Sequence, residues 1–418
     1  MKTVNDNKRS LNYCLIGEKL GHSYSREIHE EMGFNYILKE VSNNEISNFL
    51  NNNDFYGFNV TIPYKKAVIP YLTETSNIAK MAGAVNTVVN KNGKLYGHNT
   101  DVEGMKYMIS RKGVSLTGKK VMVLGSGGTS NTAVTLCKLE NAEKVTVVSR
   151  SGSVNYDNCY ELQDTEVIIN STPVGMYPNV ENTPINLSKF KNLIAVFDCI
   201  YNPFLTELLS DAKKLGLIYS NGISMLVKQA ILAEDFWLNV DSGNDETERI
   251  IKKMQLDKSN LVLYGMPSSG KSTIGKLVAK KLNRSFIDTD EYIEKITGKS
   301  PSKIINEQGV LEFRRIESEV IKEVSKLSGY VIALGGGAVL KEENVHALKR
   351  NGYLIYVKRN LSLLVNDDRP LSKKYGVEQL YNERKDIYNA VKDGEVDNNS
   401  DLESAVEGVI KTYENSCN

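Results

Sequence analysis

The clearest chemical signal in this chain is the run Gly-Met-Pro-Ser-Ser-Gly-Lys-Ser over residues 265–272. An apolar run over residues 261–264 precedes it, and a helix-like segment over residues 273–282 follows it. A strand, a glycine-rich loop and a helix in this order are the context that a phosphate-binding P-loop requires. Glycines in the loop let backbone N–H groups turn toward an anion, and the helix adds its positive N-terminal end. The run therefore predicts a binding site for a nucleoside triphosphate such as ATP.

The side chains of this loop have separate expected roles. Lys271 is placed to reach the β- and γ-phosphates, and the Ser272 hydroxyl is placed to help hold Mg²⁺. An ordinary glycine-rich turn is the alternative, but a match at every fixed position of the motif favours the P-loop. The predicted nucleotide-binding residues are Gly265, Ser269, Gly270, Lys271, Ser272 and Thr273.

Length and composition place this site in a chain of more than one domain. A chain of 418 residues is long enough for two or three domains of roughly 100–200 residues each. Hydrophobic residues make up 41% and charged residues 25%, as in ordinary soluble proteins. Lys and Arg together number 52 against 51 for Asp and Glu, so no net field attracts nucleic acid or an anionic membrane.

The cysteines and the N-terminus bear on the cellular location. The 5 cysteines are scattered without a Cys-x-x-Cys pair, which is typical of free thiols in a reducing compartment. Residues 1–10 are polar and lack the apolar core of a signal peptide. No apolar run approaches the roughly 18 residues that a membrane span needs. We therefore expect a cytoplasmic protein without a nucleic-acid or membrane partner.

Short apolar runs alternate with helix-like segments along the whole chain, which predicts an α/β fold with parallel sheets. A polar stretch between residues 241 and 260 carries one helix, over residues 246–256, and the domain boundary is expected after it. Residues 51–53, three asparagines, are expected to form a loop. The predicted strands cover residues 121–124, 144–148, 167–169 and 194–197, and the first crossover helix covers residues 129–139.

A second glycine-rich loop, Gly125-Ser126-Gly127-Gly128, follows the strand that ends at Leu124. Glycines at this place in a βαβ unit permit close approach to the pyrophosphate of a dinucleotide. A plain βα turn explains this loop alone equally well. The next strand ends in Ser149-Arg150-Ser151, and Arg at this place suits the 2′-phosphate of NADP(H), whereas NAD sites usually carry Asp or Glu. Arg150 therefore favours NADP(H), with a solvated surface arginine as the alternative.

Several polar segments around this loop resemble those of the shikimate dehydrogenase family. The resemblance runs from about residue 13 to residue 256. The segments are Gly-His-Ser-Tyr-Ser (21–25), Asn-Val-Thr-Ile-Pro-Tyr-Lys (59–65), Ala-Gly-Ala-Val-Asn-Thr (82–87), Gly-His-Asn-Thr-Asp (97–101) and Asn-Gly-Ile-Ser-Met-Leu-Val-Lys-Gln-Ala (221–230).

This resemblance implies roles for individual residues. Lys65 and Asp101 would be the catalytic pair, because reduction of a ketone creates an alkoxide that needs a positioned proton donor. Ser23 and Ser25 would hold the substrate carboxylate. The remaining substrate-binding residues would be Thr61, Asn86, Tyr201 and Gln229, beside Lys65 and Asp101. The cofactor-binding residues would be Gly125, Ser126, Gly127, Gly128, Ser149, Arg150 and Gly222.

The segment that follows the P-loop helix resembles the shikimate kinase family. Phe-Ile-Asp-Thr-Asp (286–290) is predicted to be a strand whose two carboxylates point to one side. Phe-Arg-Arg-Ile-Glu (313–317) and Ala-Leu-Gly-Gly-Gly (333–337) complete a resemblance that covers residues 260 to about 411.

The kinase resemblance also implies roles. Asp288 would support Mg²⁺, and Asp290 would hold and deprotonate the attacking hydroxyl. Arg369 would be a lid arginine that stabilises charge on the transferred phosphoryl group. The segment before Arg369 is short, and Asn366 stands where the family has an adenine-facing arginine. The shikimate carboxylate would be bound by Arg314, Arg384 and the backbone of Gly335, Gly336 and Gly337, with Glu317 orienting Arg314.

Both resemblances together predict a bifunctional enzyme that reduces 3-dehydroshikimate with NADPH and phosphorylates shikimate with ATP and Mg²⁺. The dehydrogenase would cover residues 10–256, with a substrate lobe at 10–101 and 224–256 and an NADP-binding lobe at 102–223. The kinase would cover residues 259–418. An NAD-using quinate dehydrogenase-like enzyme and a non-catalytic metabolite sensor fused to a P-loop module are the alternatives. The oligomeric state stays open.

Overall fold

The computed structural model describes residues 11–21, 23–52, 54–364 and 375–416. Within these residues the chain forms three β-sheets. The first two sheets belong to one compact unit that ends at Ile251, and the third belongs to a second unit that begins at Lys252. Among the described residues, no helix has the length and apolar character that crossing a membrane requires.

The first sheet is mixed, with strand order β2-β1-β3-β5-β6-β4. β1 runs parallel to β2 and β3, whereas β5 runs antiparallel to β3 and β6. Helix α2 extends through Asn51, so the expected loop over residues 51–53 was wrong at its first position. The elements are β1 (Asn12–Gly17), α1 (Ser25–Glu31), β2 (Asn35–Glu40), α2 (Ile46–Asn51), β3 (Gly57–Val60), a 3₁₀ turn (Ile69–Tyr71), β4 (Glu74–Thr75), α3 (Asn77–Ala82), β5 (Thr87–Lys91) and β6 (Lys94–His98).

The second sheet is entirely parallel, with strand order β11-β10-β9-β7-β8. Its inner strands are almost fully buried, which explains why they appear in the sequence as continuous apolar runs. The connection from β8 to β9 contains only a 3₁₀ turn (Cys159–Glu161) where a crossover helix is usual. The other elements are α4 (Asp101–Ser110), β7 (Lys120–Leu124), α5 (Gly128–Leu139), β8 (Lys144–Val148), β9 (Val167–Asn170), a 3₁₀ turn (Leu187–Lys189), β10 (Ala195–Asp198), α6 (Glu207–Lys214), β11 (Ile218–Ser220) and α7 (Ile223–Leu238).

The third sheet is also parallel, with strand order β13-β14-β12-β15-β16. Apolar helix faces cover the sheet in two clusters of buried side chains. The elements are α8 (Asp245–Lys258), β12 (Asn260–Tyr264), α9 (Lys271–Lys281), β13 (Phe286–Asp288), α10 (Thr289–Thr297), α11 (Pro301–Gln308), α12 (Val310–Val324), β14 (Val331–Ala333), a 3₁₀ turn (Ala338–Leu340), α13 (Glu342–Lys349), β15 (Gly352–Lys358), a 3₁₀ turn (Leu361–Leu363), α14 (Val377–Val391), β16 (Gly394–Asp397) and α15 (Leu402–Asn415).

The carboxylates at 288 and 290 do not share one side of a strand, so that expectation was wrong. The strand ends at Asp288, whose Oδ1 accepts the backbone N–H of Asp290 at 2.9 Å and that of Glu291 at 3.3 Å. These are the bonds of a helix N-cap, so the chain turns into α10 directly after the strand.

Helix α8 contains the limit between the two units, which falls between Ile251 and Lys252. The sequence analysis placed the end of the dehydrogenase at residue 256 and the start of the kinase at residue 259, and these domain limits stay a prediction. Within the second unit, the Leu256 carbonyl accepts hydrogen bonds from Arg284 Nη2 and from Tyr413 Oη, each at 2.6 Å. The last turns of α8 therefore form part of the hydrogen-bonded structure of the second unit.

A fragment that begins at Lys252 should be more stable than one that begins at Lys258. The shorter fragment lacks the Leu256 carbonyl and leaves Arg284 and Tyr413 without that acceptor, a loss of about 1–3 kcal/mol. Urea unfolding of residues 252–418 and 258–418 measures the difference. Lys253→Ala in the longer fragment is the control, because the ion pair of Lys253 with Asp257 is exposed and such pairs contribute little to stability. Equal unfolding midpoints for both fragments would contradict this assignment.

Candidate active sites

A cleft of about 560 Å³ in the first unit gathers most of the residues predicted for substrate binding. These residues lie on several elements, because strands β1, β3, β6 and β10 end near the cleft. The antiparallel strand β5 begins where β3 ends. The predicted residues that line the cleft are Ser23, Ser25, Thr61, Lys65, Asn86, Asp101, Tyr201, Gly222 and Gln229.

An ion pair between Lys65 and Asp101 lies in this cleft. Lys65 Nζ is 2.6 Å from Asp101 Oδ2, and the two side chains are 26% and 12% exposed. The other carboxylate oxygen of Asp101 accepts a hydrogen bond from Asn86 Nδ2 at 2.9 Å. Asp101 is the first residue of α4, and its backbone N–H is bound by Asn99 Oδ1 at 3.1 Å. The ammonium is thus held in one direction while part of it stays open to the cleft.

Two serines form a second polar group in the cleft. Ser23 Oγ donates to Ser25 Oγ at 3.0 Å, and the backbone N–H of Ser25 donates to Ser23 Oγ at 3.2 Å. Hydroxyl groups arranged in this way can donate to the two oxygens of a ligand carboxylate. The geometry therefore suits the role that the sequence assigned to them.

Tyr201 and Gln229 complete the predicted wall of the cleft. The Tyr201 ring packs against Tyr24 with ring centroids 5.2 Å apart, and burial raises the pKa of Tyr201 to about 12. Its phenol therefore stays protonated and can donate a hydrogen bond near neutral pH. Gln229 Nε2 donates to the Leu226 carbonyl at 2.8 Å, which fixes the orientation of the amide.

The sequence reasoning did not assign roles to several side chains that line this cleft. Asn59 lies in a segment that the resemblance covers, so its motif could have identified it. Cys199 follows β10 in the nucleotide-binding sheet, and burial raises the pKa of its thiol. Only the folded structure shows that such residues meet the substrate lobe. The unassigned residues include Asn59, Thr129, Met176, Cys199 and Met225.

The loop after β7 has the geometry of a dinucleotide-phosphate site. Gly125 has φ +104°, and a Cβ there would lie 2.9 Å from Ser171 Oγ, so only glycine fits. Ser126 and Gly127 continue the loop, and α5 begins at Gly128 without a side-chain cap from Gly127. Uncapped N–H groups at a helix start suit a pyrophosphate.

Ser149 and Arg150 follow β8, and the Gly125 loop follows β7. The two strands pair in parallel, so both loops lie at the carboxyl ends of neighbouring strands. Arg150 is exposed, so its guanidinium is available to a phosphate group. These positions fit a dinucleotide with a 2′-phosphate.

The P-loop of the second unit has three residues with positive φ, namely Gly265 (+148°), Ser268 (+63°) and Gly270 (+92°). Lys271 Nζ donates to the carbonyls of Met266 at 2.8 Å and Gly265 at 3.2 Å, which holds the side chain across the loop. Ser269 Oγ is fully buried, and none of the residues that the structure describes gives it a hydrogen bond. A buried polar atom of this kind calls for an external partner, and a phosphate oxygen would supply one. The loop therefore fits a nucleotide phosphate.

The residues expected to support Mg²⁺ contact each other. The Ser272 hydroxyl hydrogen-bonds to Asp288 Oδ2, and Thr273 follows in the first turn of α9. Across the parts of the chain that the structure describes, no three His, Cys, Asp or Glu side chains gather into a metal cluster. This donor set fits Mg²⁺, which takes few protein ligands and completes its shell with phosphate and water oxygens.

Asn398, which the sequence reasoning missed, supports the same loop from outside. It follows β16, and its Nδ2 donates to the Ser269 carbonyl at 2.8 Å. A Cβ on Gly270 would lie 2.4 Å from that nitrogen, so the close contact requires glycine. Nothing in the local sequence around Asn398 indicates this contact, because the P-loop is more than a hundred residues away.

A second cavity, of about 240 Å³, lies beside the P-loop and gathers the other predicted kinase residues. Arg314 Nη1 is 2.5 Å from Glu317 Oε2, as expected for residues three apart on a helix. Glu317 is 1% exposed on its side chain, and burial raises its pKa while the Arg314 charge lowers it. The predicted residues that line the cavity are Asp290, Arg314, Glu317, Gly335, Gly336, Gly337 and Arg384.

Two side chains of α14 bind one carbonyl of the glycine segment. Arg384 Nη1 donates to the Gly336 carbonyl at 3.0 Å, and Tyr388 Oη also donates to it. Two guanidinium groups beside one cavity can bind a planar carboxylate. Asp290 in the same cavity can accept a proton from a hydroxyl. Arg369 and Asn366 lie outside the described residues, so their expected roles stay predictions.

These geometries define the chain as an α/β oxidoreductase-type dinucleotide fold followed by a P-loop phosphotransferase fold. Residues 15–88 match the family model for the shikimate dehydrogenase substrate binding domain, and residues 267–414 match the model for shikimate kinase.

Curated relatives match the first part of the chain. Shikimate dehydrogenase (NADP(+)) of Clostridium perfringens (strain ATCC 13124) is 36% identical over 258 residues, which cover 56% of this chain and 95% of that protein. The enzyme of that name from Bacillus cereus (strain AH187) is 36% identical over 253 residues, covering 54% and 91%.

Solved structures agree with these relatives. Shikimate dehydrogenase 1 of Peptoclostridium difficile superposes with a TM-score of 0.54 and 34% identity, covering 58% of this chain and 97% of that one. A chorismate mutase/shikimate 5-dehydrogenase fusion protein of Clostridium acetobutylicum gives 0.55 and 35%, covering 58% and 96%. The chain therefore belongs to the shikimate dehydrogenase family in its first part and carries a shikimate kinase domain in its second. Both resemblances drawn from the sequence are confirmed.

Substitution of Gly337 by Ala should displace Arg314, because a Cβ there would lie 1.9 Å from Arg314 Nη2. Loss of one charge-assisted contact should raise the KM for shikimate by roughly 10-fold or more. The KM for ATP should change little, since Gly337 is not part of the P-loop. Steady-state kinetics of Gly337→Ala with a thermal unfolding check measure this. An unchanged KM for shikimate would show that Arg314 does not bind that substrate.

Proposed function

We propose that this chain catalyses two consecutive reactions. The first unit reduces 3-dehydroshikimate to shikimate with NADPH, and the second phosphorylates shikimate with ATP to give shikimate 3-phosphate. The observation that carries the proposal is the assembly, in each unit, of a proton-transfer group beside donors suited to a carboxylate. Lys65 lies with the serine pair in the first cleft, and Asp290 lies with two arginines in the second cavity.

In the first unit, Lys65 and Asp101 perform the proton chemistry. NADPH bound at the Gly125 loop supplies the hydride that adds to the carbonyl carbon. Lys65 Nζ gives a proton to the carbonyl oxygen as negative charge develops there, and Asp101 keeps the ammonium directed. Ser23 and Ser25 hold the carboxylate, which sets the distance between the ketone and Lys65.

In the second unit, the chain positions the shikimate hydroxyl for attack. ATP bound with Mg²⁺ supplies the γ-phosphoryl group. Asp290 accepts the proton of the attacking hydroxyl, while Arg314 and Arg384 hold the carboxylate of the same molecule. Lys271 stabilises negative charge on the phosphates, and we assign the same task to Arg369.

Two rival functions are weaker on specific grounds. An NAD-using quinate dehydrogenase has no use for the exposed Arg150, which suits a 2′-phosphate. A metabolite sensor needs ligand binding alone, whereas Lys65, Asp101, Lys271 and Asp290 form two chemical sites. The described thiols Cys14, Cys137, Cys159 and Cys199 are free, which fits the reducing cytoplasm in which we place the protein.

Substitutions of the two lysines should separate the reactions. Lys65→Ala should lower the kcat of the reductase by roughly 10²–10⁴-fold, because a positioned proton donor contributes that much. Phosphorylation of shikimate by the same variant should stay near wild type. Lys271→Ala should remove phosphoryl transfer and leave reduction intact. NADPH oxidation and product phosphorylation are measured on each purified variant, and reductase activity close to wild type in Lys65→Ala would rule out its assigned role.

Arg150→Ala should weaken NADPH and leave NADH nearly unaffected, since only NADPH carries the 2′-phosphate. Loss of one charge-assisted contact costs about 1.5–3 kcal/mol. The KM values of both cofactors are compared with those of Lys144→Ala, which removes an exposed charge from the opposite end of β8. Equal losses for both cofactors would mean that Arg150 supports the fold instead of the phosphate.

A further inference from the structure

A buried histidine–glutamate pair joins two helices that carry residues of the reductase cleft. α1 begins at Ser25, and His29 lies one turn later on the same face of that helix. α7 carries Gln229, and Glu234 lies further along it. His29 Nδ1 is 3.0 Å from Glu234 Oε1, and the two side chains are 0% and 3% exposed. The pair therefore fastens the serine-bearing helix to the glutamine-bearing helix.

The His29 ring also contacts a hydrogen-bonded series that leads to Asp101. The ring stacks on Tyr36, with centroids 4.1 Å apart and an interplanar angle of 17°. Tyr36 Oη donates to Asn59 Oδ1 at 2.7 Å, and Asn59 Nδ2 donates to the Asn86 carbonyl at 3.3 Å. The Asn86 side chain then donates to Asp101 at 2.9 Å. A shift of His29 would reach the carboxylate that holds the catalytic lysine.

The His29–Glu234 pair stabilises the core less than apolar side chains of similar size would. Burial lowers the pKa of His29 to about 3, so the imidazole is neutral near pH 7, and its contact with Glu234 is a hydrogen bond without the attraction of a full ion pair. A buried hydrogen-bonded pair that lacks ion-pair attraction gains little to offset the desolvation of its polar groups. Apolar side chains such as those of Phe34 and Trp237, which pack around His29, would fill the space without that penalty.

We propose that His29 and Glu234 are positioning residues of the reductase. Their contact sets the distance between Ser25 and Gln229 across the cleft, and the stacked His29 ring supports the position of Asp101. The proposal rests on the proposed reductase function of the cleft. It assigns no contact with substrate to either residue.

Two substitutions at His29 separate the hydrogen bond from the ring. His29→Phe keeps a ring against Tyr36 and removes the donor to Glu234, whereas His29→Asn keeps a donor near the position of Nδ1. His29→Phe should raise the KM for 3-dehydroshikimate by about 10-fold, since small misplacements of binding groups have effects of this size. The KM for NADPH should stay near wild type. His29→Asn should recover part of the loss.

A milder substitution serves if His29→Phe does not fold. Tyr36→Phe keeps the ring and removes only the hydrogen bond to Asn59, so it should lower kcat several-fold while the KM for NADPH stays constant. Phe49→Leu is the matched control, because Phe49 lies in the core of the same sheet and does not line the cleft. It should lower the thermal midpoint without changing either KM.

The outcomes separate this proposal from the function on which it rests. A wild-type chain without reductase activity overturns the proposed function, and the positioning role with it. An active wild type, with His29→Phe and Tyr36→Phe variants that lose thermal stability yet keep wild-type KM and kcat, overturns the positioning role alone. Equal increases in both KM values would mean general loosening and would also overturn it. A selective change for 3-dehydroshikimate supports the proposal.

Discussion

Burial of the strands confines polar chemistry in this protein to the edges where strands end, and both sites depend on that constraint. The inner strands of the parallel sheets are packed on both faces, so their few charged residues stand at strand ends, as Asp198 does at the last position of β10. Gly125 follows β7 and Gly265 follows β12, each at the carboxyl end of a central strand. In the first sheet, polar residues also gather where a strand ends, because the antiparallel strand β5 begins beside the end of β3. Asn86 lies just before β5 and Lys65 follows β3, and both side chains bind Asp101.

The charged groups gathered at these edges are partnered, and the degree of burial sets what each partnership does. Lys65 and Asp101 stay partly open, so the ammonium can exchange protons with ligand and solvent. Arg314 is tied to Glu317, which is almost fully buried and fixes one direction for the guanidinium. Removing one member of a buried pair leaves an uncompensated charge, at a cost of about 3–5 kcal/mol. In both pairs the more buried carboxylate holds the direction of the more exposed cation, and the proposed function assigns the ligand contact to that cation.

Local signals in the sequence predicted four strands of the second sheet, and the structure brings most of the predicted site residues to the two cavities. Val121 to Leu124 could be predicted as a strand because a short apolar run between glycine-containing loops is typical of a buried strand. Lys271 could be predicted as a phosphate-binding residue because it stands at a fixed position of the P-loop motif. Contacts over long separations left no local signal. Glu234 lies on a mostly apolar helix, and its pairing with His29 depends on how α1 and α7 meet. The strand expected through Asp290 failed because a cap at Asp288 competes with extension, and a sequence pattern alone does not decide that competition.

The two units would recognise one carboxylate by different means, and this difference suits their order. In the first cleft the carboxylate would face the neutral hydroxyls of Ser23 and Ser25, while the lysine charge is matched by Asp101. In the second cavity it would face the guanidinium groups of Arg314 and Arg384, and charge-assisted bonds are roughly twice as strong as neutral ones. An enzyme that must release its product gains from the weaker donors, because tight product binding would slow turnover. An enzyme that must capture the same molecule gains from the stronger ones. Under the proposed function, the donor chemistry of the two sites therefore suits release of shikimate by the first unit and its capture by the second.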